Sequence, residues 1–204
     1  MPRLFIALPV SEDVRNAAGN LLLPQDNSIR KTPLAELHVT LHFLGETTDV
    51  EFERVKCELA SVRHSAFQVT FSGAGHFPPS ATAVSQSGQA RSGKSNEPDN
   101  SPRVLWIAVQ PSEALMILHS KLEQTLQSAG FKTEERAYHP HLTIARIKPD
   151  SGQITASQAA EQFERDNSGF HVVQPVDRFL LYSVARENVQ GSRYHVEREY
   201  LLGS

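Results

Sequence analysis

Apolar and polar residues alternate along several short segments of this chain, and apolar residues recur at three- and four-residue steps between them. Leu4 to Leu8 is an almost wholly apolar run closed by Pro9, which predicts a buried strand. Ser11 stands where a helix N-cap would, ahead of Val14, Ala17, Ala18 and Leu21 at helical spacing. Pro24, Asp26, Asn27 and Ser28 then mark a loop. Residues 36–44 predict a strand ended by Gly45. Thr48 and Glu51 fit a capping box, and Phe52, Val55, Leu59 and Val62 form the stripe of the helix it opens. Residues 66–77 alternate again, with Phe67, Val69 and Phe71 against Gln68, Thr70 and Ser72, and predict a strand.

The segment Pro79 to Pro102 breaks this pattern. It is rich in Ser, Gly, Asn, Gln and Pro, with almost no large apolar residue beyond Val84, and predicts a flexible surface loop inserted between two strands. After it the pattern resumes. Residues 103–109 predict a strand. Ser112 caps a helix with Leu115, Leu118, Leu122, Leu126 and Ala129 on one side and Gly130 at its C-terminal end. Residues 138–147 predict a strand, 155–165 a helix, 176–184 a strand, and Tyr194 to Leu201 a last one. Each half of the chain thus runs strand, helix, strand, helix, strand. Alternation with one polar face favours antiparallel pairing over a parallel sheet. The expected fold is α+β: two similar lobes, each an antiparallel sheet with helices, facing a shared cleft. Because both lobes are needed to complete one site, residues 1–204 are read as a single two-lobed domain.

The chemistry lies on two of the predicted strands. Glu36 to Gly45 contains His38-Val39-Thr40-Leu41, and Tyr138 to Arg146 contains His141-Leu142-Thr143-Ile144. On an ideal strand His38 and Thr40 share a face, as do His141 and Thr143, while Val39, Leu41, Phe43, Leu142 and Ile144 take the other. Two imidazoles in one cleft can divide general acid and general base work near neutral pH. Attack on phosphorus needs that division, and threonine hydroxyls can donate to the non-bridging oxygens. The scheme requires neither metal nor cofactor. A rival reading takes His38 with His42 and His139 with His141 as four converging metal ligands. A second rival is a non-catalytic module that holds nucleotide ends.

Composition trims these options. The 204 residues carry a formal net charge of −3, with a pI of about 6.3, which argues against tight non-specific binding to long nucleic acid. A nucleotide end would need only one local cationic pocket. Cys57 is the single cysteine. It rules out an intramolecular disulfide and a cysteine-based zinc site, and its helical setting suggests a packed or idle thiol. The N-terminal apolar run is too short for a signal peptide, and no segment approaches the roughly 20 apolar residues that span a bilayer. A cytoplasmic monomer with no membrane contact is the expectation.

His38-Val39-Thr40-Leu41 with Phe43-Leu44-Gly45, and Tyr138-His139-Pro140-His141-Leu142-Thr143-Ile144-Ala145-Arg146, resemble the 2H phosphoesterase superfamily. The nearer match is its branch of RNA 2′,3′-cyclic phosphodiesterases, also called 2′-5′ RNA ligases. Arg3 to Pro9, Pro102 to Trp106 and Phe179 to Ser183 extend the resemblance over nearly the whole chain. It implies a bilobal fold with a pseudo-twofold axis. It further implies metal-independent hydrolysis of RNA or nucleotide 2′,3′-cyclic phosphate ends to a 2′-phosphate, with the reverse 2′-5′ ligation open to the same groups. By motif position His38 would be the acid and His141 the base, although a quasi-symmetric site could exchange them. Thr40, Thr143 and Arg146 would hold the phosphate. Arg146 lies three residues after Thr143, on the wrong face of an ideal strand, so a bulge or strand end must redirect it. Tyr138 and Phe43 are candidates for base stacking, with core packing expected for Phe43. His42 stands where family members carry a basic or small residue, close enough to influence His38. The segment 79–102 is longer than the branch leads one to expect.

Overall fold

The computed structural model describes residues 2–77, 102–133, 137–148, 154–189 and 192–203. Apart from Pro102, the predicted loop insertion at 79–102 lies outside the described residues. The elements in chain order are β1 (Arg3–Pro9), α1 (Glu12–Gly19), β2 (Ile29–Lys31), β3 (His38–Glu46), α2 (Asp49–Leu59) and β4 (Phe67–Phe77). Next in the chain come β5 (Val104–Val109), α3 (Glu113–Ser128), β6 (His141–Ile147), α4 (Ala156–Asp166), β7 (His171–Val176), β8 (Arg178–Val189) and β9 (Ser192–Leu201). A single turn of 3-10 helix at Leu34–Glu36 leads into β3.

The caps form as the sequence predicts. The Ser11 and Ser112 side chains each accept a backbone N–H in the first turn of α1 and α3. Thr48 and Glu51 bond reciprocally at the start of α2. Gly130, just past α3, has φ 80°, a left-handed conformation that glycine adopts without steric cost. Two short strands escaped the sequence pattern. The three residues of β2 are too few to alternate, and Pro175 interrupts β7, which among the described residues pairs only with β4. Proline is tolerated at such an edge because it removes no ladder bond needed by a neighbour.

Every strand pair is antiparallel. The order is β7-β4-β5-β6-β3-β1-β8-β9, with β2 paired to β6 beside this path. Two groups of four strands therefore meet edge to edge at β3 and β6, where Val39 opposite Leu142 is the single paired position. The groups are not the two halves of the sequence. β4 joins β5 and β7 on the far side, and β8 and β9 return to β1.

One face of the sheet carries the helices. Leu115, Leu118, Leu122 and Leu126 of α3, Val55 and Leu59 of α2, and Phe163 of α4 are buried in one core with Leu4, Ile6, Leu8, Phe71 and Ile107. Two buried amides fasten the groups together. Gln174 accepts from the Ser11 amide at 2.7 Å and donates to the Pro9 carbonyl at 2.8 Å. Asn167 accepts from the Leu22 amide at 2.9 Å and donates to the Leu22 and Phe163 carbonyls at 2.8 and 2.7 Å. Among the described residues no helix is long and apolar enough to cross a membrane.

Candidate active site

The face away from the helices carries the two motifs. In antiparallel register about the Val39–Leu142 pair, His38 comes opposite Thr143 and Thr40 opposite His141. The four sequence candidates are thus brought together across one strand junction. Val39 and Leu142, fully buried beneath them, hold the junction to the core.

The two imidazoles are mounted alike. Nδ1 of His38 lies 2.7 Å from the Glu36 carbonyl, and Nδ1 of His141 lies 2.7 Å from the His139 carbonyl. A carbonyl only accepts, so each Nδ1 carries the proton and each Nε2 is left for chemistry. An aromatic ring stands edge-on to each: Tyr194 to His38 at 5.2 Å and 90°, and Phe77 to His141 at 4.8 Å and 87°. Phe5 adds a tilted contact to His38 at 4.9 Å.

Burial is the main influence on both rings and holds each pKa below the usual imidazole value of 6.5. At His38 the Glu36 carbonyl and carboxylate oppose that shift, while the charges of His141 and Arg146 add to it. At His141 the His139 carbonyl opposes it, while Arg146 and the His139 ring add to it. Glu36 is itself buried and tied to Arg193, whose backbone amide, Nε and Nη2 approach its carboxylate at 2.9, 3.4 and 3.1 Å. Its carboxyl is held below the ordinary range by those contacts, against the opposing pull of burial.

The bulge needed for Arg146 is present. Between β5 and β6 the pairs run Leu105 with Ala145, then Trp106 with Thr143, so Ile144 is an extra residue on β6. Such a bulge reverses the alternation. Ile144 and Ala145 are both buried, and Arg146 emerges exposed on the face of His141 and Thr143. The same displacement occurs in the first motif. The pairs run Ile6 with His42, then Ala7 with Thr40, which makes Leu41 the extra residue of β3.

That second bulge overturns two sequence expectations. His42 does not share the face of His38: it is 5 % exposed and stacks on His119 of α3 at 4.2 Å. Phe43 is no core residue: its ring is 56 % exposed on the site face, 6.0 Å from Phe5. The four imidazoles of the metal reading therefore do not converge, and among the described residues no group of three or more His, Cys, Asp or Glu side chains is placed to hold a metal. Tyr138 is also structural. It stacks on His119 at 3.9 Å, and its hydroxyl donates to the Thr40 carbonyl at 3.0 Å. His119, between His42 and Tyr138, is pushed down to about 4, by burial first and then by the charge of His42. Cys57 is exposed.

The sequence model of the 2′-5′ RNA ligase superfamily matches residues 12–188. The chain belongs to this superfamily. Membership bears out the resemblance carried by the two motifs. An RNA 2′,3′-cyclic phosphodiesterase of Archaeoglobus fulgidus is 27% identical over 180 residues, covering 85% of this chain and 91% of the relative. One of Thermotoga maritima is 29% identical over 188 residues, covering 89% and 86%. The solved structure of Escherichia coli LigT complexed with 3′-AMP superposes with a TM-score of 0.70 over 100% of both chains at 22% identity, which shows the shared fold.

At this candidate site, motif spacing left several supporting residues unseen. Glu36 and His139 serve His38 and His141 through main-chain carbonyls, which no side-chain pattern reveals. Phe5, Phe77, Tyr182 and Tyr194 reach the site from other strands, so only the pairing order exposes them.

Proposed function

We propose that the protein hydrolyses 2′,3′-cyclic phosphates on RNA ends or nucleotides, leaving a 2′-phosphate. The observation that carries this reading is the β3–β6 junction, where two histidines with matched carbonyl partners face two threonines. The names of the relatives support the substrate class. Water attacks phosphorus opposite the 3′ oxygen, and Nε2 of His141 takes its proton. The bond from phosphorus to the 3′ oxygen breaks, and Nε2 of His38 gives that oxygen a proton. The products are a 2′-phosphomonoester and a 3′-hydroxyl, and proton exchange with solvent restores the pair. Thr40 and Thr143, half-buried and with no hydrogen bond from either hydroxyl among the described residues, donate to the non-bridging oxygens. Arg146 balances the phosphate charge, and Phe43 offers its exposed ring to the base. A 5′-hydroxyl in place of water gives a 2′-5′ linkage by the same transfers. The two strand groups act as one unit, as a monomer, without metal or cofactor.

Incubating the purified protein with a nucleoside 2′,3′-cyclic phosphate tests the reading. Release of the 2′-phosphate, undiminished by EDTA, is expected. Saturable binding without product would leave a binding module, and loss of rate in EDTA restored by zinc would replace the two-histidine mechanism. The pH profile is a separate check. kcat/KM reports the free enzyme, and both imidazoles titrate below the ordinary 6.5. The bell is therefore expected to peak on the acid side of about 6.5; a peak above pH 7 contradicts the assignment.

A further inference from the structure

β2 places an arginine directly against another. Arg30 is the antiparallel partner of Arg146, flanked by the pairs Ile29–Ile147 and Lys31–Ala145. Directly opposed side chains share a sheet face, and like charges there repel. Both residues are exposed, and among the described residues neither guanidinium belongs to an ion pair. The carboxylate that feels Arg30, Glu36, is already bound three ways to Arg193. The bulge at Ile144 turns Arg146, and with it Arg30, onto the face of the two histidines. Arg146 is close enough for its charge to act on both imidazoles. Arg30 stands one strand further out, about 4.8 Å away along the hydrogen-bonding direction.

A repelling pair with no ion-pair partner among the described residues, set one strand away from the scissile phosphate, suits a second anion. We infer that Arg30 binds the phosphate on the 5′ side of the terminal ribose, with Arg146 standing between it and the scissile phosphate, and that Arg30 makes the enzyme prefer substrates carrying it. The inference rests on the cyclic phosphodiesterase reading above. On an RNA end that phosphate is the adjoining diester, and on a mononucleotide it is a 5′-monoester. Guanidinium groups suit either, since each presents a planar fork of donors.

The test compares adenosine 2′,3′-cyclic phosphate with the same compound carrying a 5′-phosphate, and with a dinucleotide ending in the cyclic phosphate. Wild-type kcat/KM is expected to favour both phosphate-bearing substrates by about tenfold, the factor that corresponds to about 1.4 kcal/mol. In Arg30→Gln that preference falls below about threefold, through KM rather than kcat, and Arg30→Lys retains part of it. For the dinucleotide, the slope of log kcat/KM against log salt shallows by about 0.7, one phosphate contact. Preference for the dinucleotide alone would restrict the site to a diester of an RNA chain. Equal preference in wild type and Arg30→Gln, or none in wild type, overturns the inference. Failure of the wild type to hydrolyse any of the three overturns the cyclic phosphodiesterase reading instead.

Discussion

Alanine at His38 or at His141 is expected to lower turnover of a nucleoside 2′,3′-cyclic phosphate by about 10²–10⁴-fold, the range for loss of a general acid or base. The two losses should be similar, because the two rings are mounted alike, each with Nδ1 on a carbonyl 2.7 Å away. The double variant should lose little more than either single one, since groups that act as a unit are strongly non-additive. Stability should change far less than rate. Both rings are partly exposed, and the residues beneath the junction, Val39 and Leu142, remain in place. Steady-state rates set beside thermal melts distinguish the two effects. A loss below tenfold at either position, with the fold intact, contradicts a two-histidine mechanism.

The second large effect is expected at Gly75, away from the reacting atoms. Gly75 of β4 pairs with Trp106 of β5, and the indole lies against the glycine, so an added Cβ would overlap its six-membered ring. In Gly75→Ala the indole must move. Its neighbour Phe77, 5.0 Å away, is also the ring that stands edge-on to His141. Overpacking of this kind costs about 1–3 kcal/mol, and the displaced Phe77 should lower turnover as well. Urea unfolding and kcat measured on the same preparation read both. Gly169→Ala is the control, since its Cβ would meet nothing within 4 Å. A Gly75→Ala protein as stable and active as the parent would show that Trp106 does not support His141.

Much of this was legible along the chain because it depends on local chemistry. The serine and threonine caps, the leucine stripe of α3 and the alternation of β4 each follow from spacing within a dozen residues. So does the proximity of His38, Thr40, His141 and Thr143, once two copies of one pattern are taken to meet. The remainder depends on partners far away in sequence. The extra residues Leu41 and Ile144 exist only relative to β1 and β5. An ideal strand therefore assigned His42 and Phe43 to the wrong faces, and it left Arg146 facing inward. Gly75 reads as a neutral small residue until Trp106 is set against it. The regular order of strands and helices likewise concealed the exchange of β4 and β8 between the two groups.

That exchange bears on how the protein is made. His38 emerges early from the ribosome, but the rings that wall it in, Tyr182 and Tyr194, belong to β8 and β9. Until β8 is synthesised, β1 lacks its partner on one side. The β8 edge of β1 is therefore completed only when most of the chain has been synthesised, whereas its β3 edge can pair within the first 46 residues.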